Sequence, residues 1–186
     1  MKGNFSESEI IQGCKRKKEK FQEMLYRMYY GYAMSISLRY ASSADDAVEI
    51  TNDSFLKVFD NIGSFNEQFD FKPWLRKILV NLSIDYYRKR MRMTIMDARQ
   101  FIQEEEFEPE AVQNLNAEDI IRLLNELPET YRITFNLYEM EGFSHEEIAA
   151  KLGVSTSTSR SNLTRAKQLL RLNFNKHFQV SYAEVV

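Results

Sequence analysis

The chain has 186 residues, 44% of them apolar and 28% charged, with a formal net charge of −2. That balance suits one large or two small packed domains and excludes a disordered chain. The longest apolar runs are only a few residues, which excludes a membrane span, and the single cysteine, Cys14, excludes an internal disulfide.

The net charge hides an uneven distribution. Residues 1–95 carry 16 Lys and Arg against 12 Asp and Glu, residues 96–130 carry 2 against 10, and residues 131–186 carry 7 against 5. Two basic blocks therefore flank an acidic strip. A polyanion feels the block it approaches, because charges are screened beyond about 10 Å at ordinary salt. The first twenty residues mix acids and cations without an apolar segment, so no secretion signal is expected and the cytoplasm is the expected location.

Glycine (6) and proline (3) are scarce, period-2 alternation is hard to find, and helix formers dominate, so the chain reads as all-α. A first helix is expected after Ser6 or Ser8, running through the stripe Phe21, Met24, Leu25 and Met28, with a second over about 34–40. Ser43 then caps a helix with Asp45 and Asp46 in its first turn, where acids suit the helix dipole, and Ala44, Val48, Phe55, Phe59 and Ile62 recur at helical spacing up to Gly63. The loop "GSFNEQFDFK" leads to Pro73, a good first-turn residue, and a helix over about 73–92. Along it Trp74, Leu75, Ile78, Leu79 and Leu82 mark a core face, while Arg88, Lys89, Arg90 and Arg92 make a basic end.

Residues 96–117, with "EEEFEPE" inside them, read as a flexible acidic linker between a domain at 1–95 and another at 118–186. The second domain is expected to hold short helices at about 117–127, 129–139, 145–151 and 157–173, then a loose tail at 180–186. Its most specific stretch is "SHEEIAAKLGVSTSTSRSNLTRAKQLL". Ser144 with Glu147 forms a capping box, Ile148, Ala149 and Leu152 make a short apolar face, and Gly153 gives a tight turn. Ser155 or Thr156 opens a second helix whose Leu163, Ala166, Leu169 and Leu170 point inward, leaving Arg160, Asn162, Thr164, Arg165 and Lys167 for the outer face. Helix, glycine turn and cationic second helix is a helix-turn-helix arrangement, in which Arg can read guanine edges and Asn adenine. An ordinary helical hairpin shares the capping and periodicity. The 23 residues from Ser155 to His177 without one carboxylate favour DNA, because phosphates would lie close.

Taken together, "ADDAVEITNDSFLKVFDNI", "FKPWLRKILVNLSIDYYRKRMR", an acidic linker and "LNELPETYRITFNLYEMEGFSHEEIAAKLGVSTSTSRSNLTRAKQLL" closely resemble the extracytoplasmic-function (ECF) sigma factors, minimal sigma-70-family subunits of bacterial RNA polymerase. The resemblance runs over roughly residues 8–171. It implies a sigma region 2-like helical bundle that docks on core polymerase and handles the −10 element, and a region 4-like domain for the −35 element. It implies docking of Asp45, Asp46, Glu49 and Asp53 on the β′ clamp helices, with the β flap as a further polymerase contact. It makes Phe65, Phe69 and Phe71 candidates for stacking on melted DNA and places Asn81 where the family supports a flipped base. Arg88, Lys89, Arg90 and Arg92 would hold backbone phosphates, and Arg160, Ser161, Asn162, Thr164, Arg165 and Lys167 would face the −35 element. Ser157 and Ser159 depart from the family's pattern, which has glycine and an aliphatic residue there; the Ser159 hydroxyl is expected to bond back to a carbonyl one turn earlier. An anti-sigma factor is an implied partner, and no cofactor or small-molecule substrate is implied. The acidic Glu104, Glu105 and Glu106 could mask the basic faces.

Two rival readings compete. The segment His145-Glu146-Glu147-Ile148-Ala149 has the start of a zinc HExxH motif, but Ala149 stands where the second histidine belongs, and no nucleophile motif or phosphate-cradling glycine loop occurs. A free-standing DNA-binding regulator would use the C-terminal half but leave the acidic stripe and the aromatic loop idle.

Overall fold

The computed structural model describes residues 5–96 and 117–178, and all the described regular elements are helices. The expected acidic linker, its end residues apart, lies outside the described residues, as do Glu104, Glu105, Glu106 and the tail at 180–186. Contacts divide the chain into two compact units, with the division between Tyr86 and Tyr87. No described helix is long and apolar enough to cross a membrane.

The first unit opens with α1, Glu7–Lys15. Ser6 caps it: its hydroxyl accepts from the Glu9 amide and the Glu9 carboxylate accepts from the Ser6 amide, a complete capping box. The chain then turns through Lys17, a non-glycine residue at φ 55°, into α2, Glu19–Tyr40. The expected break before residue 34 does not occur; the break falls earlier, in the cationic run at 15–18, where positive charge suits the end of α1. Gly13 permits the close return of α2, since a Cβ there would lie 2.2 Å from the Phe21 ring.

Helix α3, Ala44–Asn61, starts at Ser43, whose hydroxyl accepts from the Asp46 amide. It packs on α2, and a buried hydrogen bond of 2.9 Å joins Thr51 to Ser37. A single 3₁₀ turn, Ile62–Ser64, follows it. Helix α4, Phe71–Met96, starts two residues earlier than Pro73 suggested, and Pro73 takes a first-turn position where no intrahelical donor is lost. The core contains Ile10, Cys14, Leu25, Ile36, Phe55, Val58, Phe71, Leu75 and Leu79, all at most 2% exposed.

Burial pushes the Cys14 thiol up from 9.0 to about 11, and burial together with a hydrogen bond to Glu7 raises the Tyr29 phenol. Both groups are held neutral by the fold. Their contribution is complete below their ordinary values and is lost as pH rises towards the folded ones. The urea midpoint of the first unit, followed by Trp74 fluorescence, is therefore expected to fall between pH 9.0 and about 11. A level midpoint over that interval contradicts a neutral buried thiol.

The second unit holds α5, Ala117–Asn125, α6, Glu129–Phe135, a π turn at Asn136–Met140 that extends α6, α7, His145–Leu152, and α8, Thr156–Phe178. Leu124, Leu127 and Ala166 form its apolar centre, flanked by Tyr131, Phe135, Leu169 and Leu170. Ser144 and Glu147 cap α7 with the expected box, and Gly153 ends it at φ 69°, a left-handed conformation that favours glycine. The tight α7–α8 turn follows from that residue.

Candidate nucleic-acid interface

The loop at 65–70 is pinned at both ends by aromatic rings. Phe65 and Phe71 are 4% and 1% exposed, meet edge to face at 5.4 Å, and both contact Trp74, at 5.3 and 5.6 Å. This corrects the sequence expectation for two of the three phenylalanines: rings so buried offer no face to a base, because they stand in the core. Phe69 is 71% exposed, an unusual place for a large apolar ring. Within the loop the Gln68 amide donates to Asn66 Oδ1 (3.0 Å) and the Phe69 amide to the Asn66 carbonyl (3.1 Å), a turn with Glu67 and Gln68 at its tip that Phe69 closes.

Beyond the loop, α4 carries Lys77, Asn81, Asp85, Arg88 and Arg92 along one polar stripe at helical spacing, opposite the buried Leu75 and Leu79. Asn81, Lys89 and Arg92 are exposed. Arg88 and Arg90, also expected to hold phosphates, are engaged within the second unit. Arg90 pairs with Glu129 at 2.8 Å, and Arg88 donates to the Ala150 carbonyl at 3.2 Å. Both are half-buried, so these guanidiniums have protein partners to give up before they hold a phosphate.

In the helix-turn-helix, Arg160, Ser161, Thr164, Arg165 and Lys167 all lie on the exposed face of α8. Arg160 pairs with Glu146 (3.2 Å), Lys167 with Glu139 (2.6 Å), and Arg165 donates to the Tyr131 hydroxyl (3.2 Å). Exposed pairs of this kind contribute only about 0–1 kcal/mol, so a phosphate or guanine edge can displace them. Ser161 and Thr164 turn their hydroxyls back to the carbonyls of Thr158 and Arg160. Asn162 is corrected: it is 5% exposed and sits on the inward row with Ser159, Leu163 and Ala166, so it does not read a base edge in this arrangement. Ser159 is fully buried too, but its hydroxyl meets His145 Nδ1 at 3.0 Å rather than a carbonyl one turn back. The His145 ring stacks on Tyr138 at 4.5 Å. The hydroxyl thus ties the two helices of the motif together where an aliphatic side chain was expected to pack.

The acidic row of α3 splits by exposure. Asp45 and Glu49 are exposed, whereas Asp46 and Asp53 are half-buried. The Tyr86 phenol is held well above its usual range by burial, by its hydrogen bond to Glu49, and by nearby Asp53 and Asp46. Three of the four acids therefore lie close to one another beside the Tyr86 hydroxyl.

One group escaped the sequence reading. Ser8, Gln12 and Lys15, spaced i, i+4 and i+7 on α1, converge on Glu67 in the aromatic loop. The α1 spacing alone signals a shared face. The partner, more than fifty residues away, is not legible from it.

The second unit thus carries a helix-turn-helix with a cationic outer face, and the first carries a loop with one exposed aromatic ring. The model of Sigma-70 region 2 matches residues 25–93, and that of Sigma-70, region 4 matches residues 117–170. The RNA polymerase sigma factor SigV of Bacillus subtilis is 30% identical over 142 residues, covering 76% of this chain and 83% of that protein. The ECF RNA polymerase sigma factor SigE of Mycolicibacterium smegmatis is 31% identical over 159 residues, 82% of this chain; the chain spans 61% of that relative's length. Among solved structures, the sigma factor RpoE of Bartonella quintana, in complex with the anti-sigma factor NepR, superposes with a TM-score of 0.50 at 26% identity, covering 80% of this chain and 93% of that one. The chain belongs to the ECF subfamily of the sigma-70 family of RNA polymerase sigma factors. Sigma factors of this family are transcription initiation factors.

Proposed function

We propose that this chain binds core RNA polymerase, recognises the −35 and −10 elements of a promoter and promotes DNA melting at the −10 element to initiate transcription. The observation that carries this reading is the exposed Phe69 ring in the loop that leads into α4, in the same chain as an acid-free second helix of the helix-turn-helix. A free-standing regulator has use for the helix but none for the ring.

In this reading Phe69 stacks on a base of the melted strand, Asn81 supports the base that leaves the stack, and Lys89 and Arg92 hold backbone phosphates. Arg88 and Arg90 join them on exchanging their protein partners. Arg160, Ser161, Thr164, Arg165 and Lys167 face the upstream element, with Arg165 the foremost reader of base edges. Asp45, Asp46, Glu49 and Asp53 meet the β′ clamp helices, and the second unit meets the β flap. The complex of RpoE with NepR supports a protein anti-sigma factor as a regulator of this chain also. The function is not enzymatic, needs no cofactor, and places the protein in the cytoplasm with polymerase and DNA.

Run-off transcription with core enzyme tests the site assignment. Asn81→Ala is expected to impair open-complex formation with little change in closed-complex affinity, because it acts after strand separation starts. Arg165→Ala is expected to weaken upstream recognition by about 1–3 kcal/mol, the worth of one good bidentate base contact. Initiation unchanged by either substitution would show that these residues are wrongly placed.

A further inference from the structure

Phe69 sits in a loop between two buried rings, and rings at its ends do not fix its middle. The middle is fixed from outside. Glu67 Oε1 accepts from Lys15 Nζ at 2.6 Å and from Gln12 Nε2 at 2.5 Å, while Oε2 accepts from Ser8 Oγ at 3.0 Å. Lys15 Nζ also donates to the Phe65 carbonyl at 3.0 Å, so one ammonium holds both a side chain and the backbone of the loop. The Lys15 and Glu67 side chains are only 23% and 25% exposed, so the pair is partly shielded from solvent. Hydrogen bonding from Lys15 holds the Glu67 carboxyl below its usual range, as expected for an ionised partner.

Three donors from one helix face converging on one carboxylate form a strut from α1 to the loop. Glu67 is two residues from Phe69, and the Asn66 turn lies beside it. Helix α1, Glu7–Lys15, also lies outside the segment that Sigma-70 region 2 matches, which starts at residue 25.

We propose that Glu67 is a positioning residue for capture of melted DNA: with Ser8, Gln12 and Lys15 it holds the loop in one conformation, so that the exposed Phe69 ring is set before a base arrives. A loop ordered in advance loses less conformational freedom on binding. This inference rests on the reading of Phe69 given above.

The test uses the full-length chain with core polymerase on a promoter selected by wild-type holoenzyme from a random duplex library, and follows strand opening by permanganate reactivity of unpaired thymines. Glu67→Ala is expected to slow opening about tenfold, within what one stacked base contributes, with affinity for core unchanged. Glu67→Gln is expected to retain most of the rate, because its amide oxygen still accepts from Lys15 and its amide nitrogen can donate to Ser8 Oγ. In a Phe69→Ala background, Glu67→Ala is expected to cost almost nothing more, since it acts through that ring. Independent losses in the double variant, or opening by Glu67→Ala within about twofold of wild type, overturn the proposal. Amide hydrogen exchange of the free protein is a separate arm: Glu67→Ala is expected to speed exchange at Gln68 and Phe69 about tenfold and leave the α4 core protected. Unchanged exchange overturns the strut even where transcription falls. If wild-type holoenzyme opens no promoter, the sigma reading falls and takes the DNA-facing role with it, while exchange still decides the strut.

Discussion

Phe69→Ala is expected to slow promoter opening by about tenfold to a hundredfold while leaving the folded unit intact. The ring is 71% exposed, so truncation removes little buried surface and leaves no cavity. What it removes is a flat apolar face held where a turn closes, two residues before α4 begins. One base stacked on such a face contributes about 1–3 kcal/mol, and every 1.36 kcal/mol is a factor of ten in rate. Permanganate footprinting against time measures the opening, and urea unfolding of the same sample checks the fold. Normal opening by Phe69→Ala would leave the exposed ring without a role in DNA.

Phe71→Ala, two residues away, is expected to do the reverse: a loss of about 3–5 kcal/mol of stability. This ring is 1% exposed and touches Tyr29 at 4.9 Å, Phe65 at 5.4 Å and Trp74 at 5.6 Å. Its removal leaves a cavity among aromatic neighbours that cannot all collapse into it. A domain is stable by only about 5–15 kcal/mol, so the first unit would be marginal or unfolded. The sole tryptophan, Trp74, belongs to that unit and reports its unfolding in urea apart from the second unit. An unfolding free energy within about 1 kcal/mol of wild type would mean that Phe71 is not a core residue.

The contrast between these neighbours shows where a sequence is legible. Helix type, the caps at Ser6, Ser43 and Ser144 and the left-handed Gly153 all follow from local chemistry: a hydroxyl accepting a free amide, or a residue without Cβ. The apolar rows of α4 and α8 follow from period alone. Which of Phe65, Phe69 and Phe71 faces solvent does not, because they lie in or at the end of a loop with no period, and only the docking of Tyr29 and Trp74 decides it. Asn162 was misplaced for a related reason. Its polarity marked it for the outer face, while its spacing from Ser159 and Ala166 put it inside, and packing prevailed. The Glu67 strut and the Ser159–His145 bond join residues far apart in the chain or on separate helices, and neither leaves a trace in periodicity or capping.

The resemblance to sigma factors, by contrast, was legible from motif order, and both matched regions fall where that order placed them. Its residue assignments at Asn81, Arg160 and Arg165 fall on exposed positions. Exposure alone makes those residues available; their roles rest on the experiments above.

The central claim is that this chain directs core polymerase to promoters and opens them. Core RNA polymerase freed of every sigma factor is mixed with the purified chain and a supercoiled library of random inserts, and the 5′ ends of the transcripts are sequenced. The account predicts 5′ ends focused on a subset of inserts that share two upstream elements at a fixed separation. Ends no more focused than those made by core enzyme alone would contradict it.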